Sequence, residues 1–168
     1  PGAKVMMHQT WAYRSDSRDF GQIAEGQYCL SEKEMWEKSR EAYHKAAEEL
    51  GVGLIPVGDA FWKVSSSKRW KFKADQEFDY SNPVYPVLPK QANSLHVGYG
   101  WSKDKQFKFD SHHAGESGCY LGALVWYSFL FGEPPTKVKY VPKGGISRVR
   151  SLPEKDGTEG YQVRITGM

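Results

Sequence analysis

The stretch that most constrains the fold is Phe107 to Gly132, FKFDSHHAGESGCYLGALVWYSFLFG. Between Gly118 and Phe131 only Ser128 is strongly polar, and no proline interrupts the run. Periodicity alone does not separate helix from strand in such a segment, but its length favours a helix packed on a sheet. Just before it a short alternating run ends in Asp110 and His113, three residues apart. Both are expected on the loop leading into that helix, where open sites are commonly built.

The 168 residues are enough for one domain with its own core, and the mixed charge and apolar content are those of an ordinary globular protein. The net charge of +3 is scattered, without the basic block or aromatic-basic interleaving of a nucleic-acid binder, so no nucleic-acid partner is expected. The longest apolar run is broken by Gly122 and Ser128 and stops at Gly132, short of the ~18 residues that a membrane span requires. Cys29 and Cys119 match no zinc or redox spacing; they could pair in an oxidising compartment, but free, buried thiols are the commoner case and the expectation. The sequence starts at Pro1 without a signal peptide, which reads as an upstream segment removed or never included.

In chain order, Val5, Met6 and Met7 begin a short apolar run of the kind expected of a buried strand and lead to polar His8, Gln9 and Thr10, a position that often rims a pocket in open α/β sheets. Residues 14–30, with Arg14, Asp16, Arg18 and Asp19, read as a solvated surface loop. Ser31 with Glu34 forms a capping box for a helix from Ser31 to Leu50, and Gly51 stops it. Met35, Ser39, Ala42, Tyr43, Ala46, Ala47 and Leu50 give that helix its small-to-apolar face, and His44 within it is a partly exposed helical histidine. Leu54, Ile55 and Val57 suggest a second strand, completing a strand, helix, strand order of the parallel kind. Gly58-Asp59-Ala60 has no nucleophilic oxygen where a Gly-Asp-Ser turn would place one, so Asp59 reads as the cap of a helix from Ala60 to about Ser66.

Residues 65–106 form a long excursion punctuated by Pro83, Pro86 and Pro89. Its aromatics, Trp70, Phe72, Phe78, Tyr80, Tyr85, Tyr99 and Trp101, suit either stacking on sugar rings or fastening the insertion to the domain, and fastening is the commoner use. Beyond Pro142, Asp156-Gly157 marks a hairpin turn between 147–152 and 161–166, a small β-rich tail.

The chemistry centres on Asp110 and His113. A general base for ester hydrolysis needs an imidazole near the working pH and a carboxylate that fixes its tautomer. A bare D-x-x-H is a weak motif, and adjacent His112 adds a metal reading that lacks further ligands at recognisable spacing.

In context, Asp110, His113, Gly118, the run Tyr120 to Tyr127, and the closing Leu130-Phe131-Gly132 and Pro134-Pro135 resemble the carboxyl-terminal block of SGNH (GDSL-like) hydrolases, most of all a bacterial branch. LIPVGDAFWKV and HQTWAYR are similar to that family's strand ends, and the resemblance covers about residues 3–140. It implies an α/β three-layer, flavodoxin-like domain over 1–142 that lacks its amino-terminal strands. It also implies Asp110 as orienting acid and His113 as base toward a serine, with no role for His112, no metal and no other cofactor. The family's nucleophilic Ser and its oxyanion Gly and Asn are not recognisable in these residues. The implied activity is therefore serine ester hydrolysis on a small-molecule or carbohydrate ester, in an extracytoplasmic setting, with the serine in a missing amino-terminal part of the same domain. The alternative is a noncatalytic carbohydrate- or protein-binding module on the same scaffold.

Overall fold

The computed structural model describes residues 2–140, so the expected hairpin within 143–168 lies outside the described residues. It shows a small mixed α/β domain of three helices and three two-stranded sheets. Strands β1 (Met6–His8) and β4 (Gly53–Ile55) pair in parallel, His8 opposite Ile55. Helix α1 (Glu32–Leu50) lies between them in sequence, as the expected strand, helix, strand order requires.

Local chemistry explains the limits of α1. The Ser31 hydroxyl accepts from the Glu34 amide at 3.2 Å, and the Glu34 carboxylate accepts from the Leu30 amide at 2.7 Å. Such a cap contributes about 1 kcal/mol to a helix start. At the other end Gly51 takes the left-handed conformation and donates to the Ala47 and Glu48 carbonyls. Ala47 is buried as expected, but Ala42 and Leu50 face solvent, and Trp36 turns inward.

Residues 14–30 are not an irregular loop throughout. β2 (Gly21–Ala24) and β3 (Gln27–Cys29) form an antiparallel hairpin with an irregular register between Gln22 and Ala24. Arg14, expected to be solvated, is 1% exposed. Its Nε and Nη2 donate to Asp16 at 2.7 and 2.9 Å, and Nη1 donates to Gln91 Oε1 at 2.9 Å and Ser94 Oγ at 3.0 Å. The guanidinium also sits 3.9 Å from the Phe72 ring centre. A buried cation is tolerable only when it is paired and hydrogen-bonded in this way.

The core gathers Ile55, Val57, Phe61 and Leu95, with Trp11, Val64, Leu121, Val125 and Phe129 packed around it. Helix α2 (Val57–Ser65) starts three residues earlier than the sequence suggests, so Asp59 lies inside its first turn and Pro56 takes the cap position. Asp59 therefore does not cap the helix. Gly58 is required there, because a Cβ would run into the Thr10 carbonyl oxygen.

Strands β5 (His96–Trp101) and β6 (Phe107–Ala114) form an antiparallel hairpin at the end of the long excursion. The aromatics of this region mostly meet one another. Tyr99 stacks on Phe109 at 4.3 Å and on Phe107 at 5.3 Å, Phe78 stacks on Phe107, and Tyr85 meets Trp101 edge-on. That is the fastening role.

Helix α3 (Glu116–Phe131) follows directly. Leu121, Val125 and Phe129 recur every fourth residue on its core side, while Trp126, Leu130 and Phe131 are 38%, 51% and 67% exposed. A helix apolar on all sides normally has neighbours on all sides. Among the described residues Leu130 and Phe131, near its carboxyl-terminal end, are left mostly uncovered.

Candidate functional site

The register of β5 and β6 builds the site. Trp101 to Gly98 pair one-to-one with Phe107 to Asp110, and the next pair is His96 with Ala114. Ser111, His112 and His113 thus face Val97 alone, a bulge of the kind that re-aims side chains at the ends of sheets. Asp110 and His113 accordingly belong to a strand and its bulge, not to the loop before α3. Gly98, opposite Asp110, has φ +71°, and a Cβ there would collide with the Gln91 and Arg14 side chains.

Within the bulge the Asp110 carboxylate is the organising group. Oδ1 accepts from the His112 and His113 amides, each at 3.0 Å, and Oδ2 lies 2.9 Å from His113 Nδ1. Burial opposes the Asp110 charge, but the two amides and the imidazole outweigh it and hold the carboxyl below its ordinary range. The carboxylate thus stays ionised and fixes Nδ1 of His113 as a donor. His113 is 81% exposed, and its Nε2 has no hydrogen-bond partner among the described residues. Sequence reasoning placed this pair together, and the structure does so through the bulge.

His112 points elsewhere. Its ring stacks on Tyr13 with centres 3.8 Å apart, and Nε2 lies 2.8 Å from Asp19 Oδ2. The segment after β1 stitches the whole bulge in place: the Arg14 amide donates to the Ser111 carbonyl at 2.9 Å, Ser17 and Ser111 share a hydroxyl bond at 2.8 Å, and Trp11 Nε1 donates to the His112 carbonyl at 2.8 Å. No spacing rule announces these contacts, because they join residues about a hundred positions apart.

A second carboxylate cluster lies where β1 and β4 end. Gln9, fully buried, donates from Nε2 to Asp59 Oδ1 at 2.9 Å and accepts from the Asp59 amide at 3.1 Å. Trp36 Nε1 also donates to Oδ1, at 2.8 Å, while Arg40 Nε and His44 Nε2 each lie 3.3 Å from Oδ2. Burial works against this charge too, but the bonds from Gln9, Trp36 and His44 and the Arg40 charge hold the Asp59 carboxyl below its usual range.

His96 is a third kind of histidine, 5% exposed, with Nε2 2.9 Å from the Ala12 carbonyl. Burial lowers its pKa to about 4, so it is neutral at pH 7 and donates through Nε2. Neither cysteine is bonded to the other. Cys29 is buried, whereas Cys119 is exposed, contrary to expectation. No group of three metal-ligating side chains occurs among the described residues. A shallow cavity of about 350 Å³ lies at the opposite, amino-terminal ends of β1 and β4, lined by Val5, Met6, Gly53 and Phe129, away from both carboxylates. No family model, curated protein or solved structure matches this chain.

Proposed function

We propose that this chain carries the acid and base of a serine ester hydrolase of SGNH type, on a flavodoxin-like three-layer scaffold. The observation that carries the reading is the 2.9 Å contact of Asp110 Oδ2 with His113 Nδ1, on an imidazole whose Nε2 is open to an incoming group. With the carboxylate accepting from Nδ1–H, the lone pair of the neutral ring lies on Nε2. It would take the proton of a serine hydroxyl as the oxygen attacks the ester carbonyl, then return it to the departing alcohol. Water would repeat the sequence on the acyl-enzyme. We place the serine and the oxyanion donors outside these 168 residues, in a preceding part of the same domain. Among the described residues the outer edge of β1 is unpaired and Trp126, Leu130 and Phe131 of α3 are exposed, which supports a sheet and layer that continue beyond them. The substrate we favour is a carbohydrate ester, since the Trp70 and Tyr85 rings stay half exposed even with Arg69 over the one and Lys105 and Trp101 against the other.

The second reading is a noncatalytic binding module on the same scaffold. It is favoured by the absence of any serine hydroxyl within hydrogen-bond reach of His113 Nε2 among the described residues. A fluorophosphonate probe applied to the whole native protein separates the two. Covalent labelling of one serine, suppressed in His113→Ala, is expected of the hydrolase. An unlabelled protein, or equal labelling in His113→Ala, would overturn it.

A further inference from the structure

We propose that Trp11 is a positioning residue for the His113 imidazole, a proposal that rests on the hydrolase reading above for its consequence but not for its geometry. The peptide unit joining His112 to His113 is held at both ends: its carbonyl accepts from Trp11 Nε1 at 2.8 Å, and its N–H donates to Asp110 Oδ1 at 3.0 Å. This unit lies in the bulge, where three residues face one and the strand ladder does not set peptide orientation. Something else must set it, because turning that peptide swings the Cα–Cβ bond of His113 and carries Nδ1 away from Asp110.

Trp11 is suited to the task because its own ring is fixed. It stacks on Phe61, which is 3% exposed, with centres 4.6 Å apart and planes 13° from parallel. His8 meets it edge-on at 6.3 Å. The indole N–H is thus a rigid donor anchored in the core and aimed at the peptide that bears the base. The neighbouring ties do not replace it. The Arg14 amide holds the Ser111 carbonyl one peptide earlier, and Asp19 holds the His112 side chain rather than its backbone.

The test removes the N–H and keeps the ring. Trp11→Phe preserves the stack on Phe61, and replacing Trp11 by its benzothienyl isostere preserves the ring's size as well. The readout is the imidazole ¹⁵N spectrum of the whole native protein labelled at histidine, with the His113 signals assigned by their loss in His113→Gln. In the wild type His113 is expected as the Nδ1–H tautomer. In both variants, folded by their amide spectra, that tautomer is expected to give way to a mixture. Alongside it, any esterase turnover should fall about tenfold to a hundredfold in kcat with KM nearly unchanged, the scale of a misplaced catalytic group. An unchanged tautomer in the folded isostere variant would overturn the proposal. A wild type that turns over no ester, while its tautomer still depends on Trp11, would remove the hydrolase reading and leave the clamp standing.

Discussion

Asp59 and Asp110 each stand beside a histidine, and their surroundings divide structure from chemistry. Around Asp59 every partner is a closing one: Gln9 and Trp36 saturate Oδ1, and Arg40 and His44 share Oδ2, tying α1 to α2 and to the end of β1. His44 meets this cluster with the same Nε2 that a base would need free. Around Asp110 the bonds come from its own bulge, and they leave the far nitrogen of His113 open. An aspartate beside a histidine therefore says little by itself. What matters is which imidazole nitrogen the carboxylate takes and what the other one meets.

Asp110→Asn gives the sharpest separation. The amide keeps the side chain's shape but presents no charge to stabilise the imidazolium, and it can favour the wrong tautomer. In the hydrolase reading, turnover of an activated ester by the whole protein should fall about 10⁴-fold. Loss of less than tenfold would mean that His113 does not use this carboxylate. Asp59→Asn should leave the turnover of the folded protein within about twofold, because the hydrogen bonds of that cluster among the described residues run to Gln9, Trp36, Arg40 and His44 and not to the bulge; a large loss there would erase the distinction.

The pH dependence of stability comes next in size, and its largest part, between pH 6.5 and 4, comes from His96 and not from either carboxylate cluster. An unfolded His96 takes up a proton near its ordinary value of 6.5, while the folded residue resists until about 4. Between those values the unfolded chain binds more protons, so stability falls as the pH is lowered from 6.5 to 4. The loss is on the order of 3 kcal/mol at the lower limit. Asp110 and Asp59, both held below their usual range, add further loss in more acidic solution as they protonate. Urea unfolding at a series of pH values checks this, with His96→Gln expected to flatten the slope between 6.5 and 4. A slope unchanged in that variant would place the titrating group elsewhere.

Asp59→Ala is expected to cost about 2 kcal/mol of unfolding free energy, since it strips the acceptor from buried Gln9 and from the Trp36 indole. The side chain is 25% exposed, so water can reach part of the gap, which keeps the loss below that of a sealed cavity. A neutral result in denaturant unfolding would show that Gln9 and Trp36 find other partners. Such a result would weaken the assignment of this cluster to structure.

How much of this was legible in the sequence follows from which contacts are local. The capping box at Ser31 and Glu34 and the stop at Gly51 gave α1 nearly to the residue, because caps are decided within a few positions. The largely apolar, proline-free run ending at Phe131 gave α3, and Asp110 with His113 gave the pair, since both of its members lie on one short stretch. The hairpin β2–β3 was not visible in a polar stretch with little alternation. Arg14 looked like a surface residue because nothing near it in sequence shows Gln91, Ser94 and Phe72 closing over it. Trp36 lies seven and eleven residues before Tyr43 and Ala47, on the same face of α1, but only α2 arriving beside it gives its N–H the Asp59 carboxylate. The bulge, too, depends on what faces β6: residues 107–110 alternate, and nothing in 111–113 shows that β5 supplies a single partner for those three.

The smallest expected effect comes from Asp19→Asn, which sharpens the comparison by removing the carboxylate from a third Asp–His pair. Asp19 and His112 lie 2.8 Å apart with side chains 59% and 42% exposed, the situation in which an ion pair is screened by solvent and contributes about 0–1 kcal/mol. The His112 ring keeps its stack on Tyr13 whether or not the carboxylate is charged, and its carbonyl stays bonded to Trp11. Both unfolding free energy and ester turnover should therefore stay close to wild type, within about 0.5 kcal/mol and about twofold. If turnover instead fell as far as in Asp110→Asn, the working pair would be Asp19 with His112, and the open nitrogen of His113 would have been the wrong criterion.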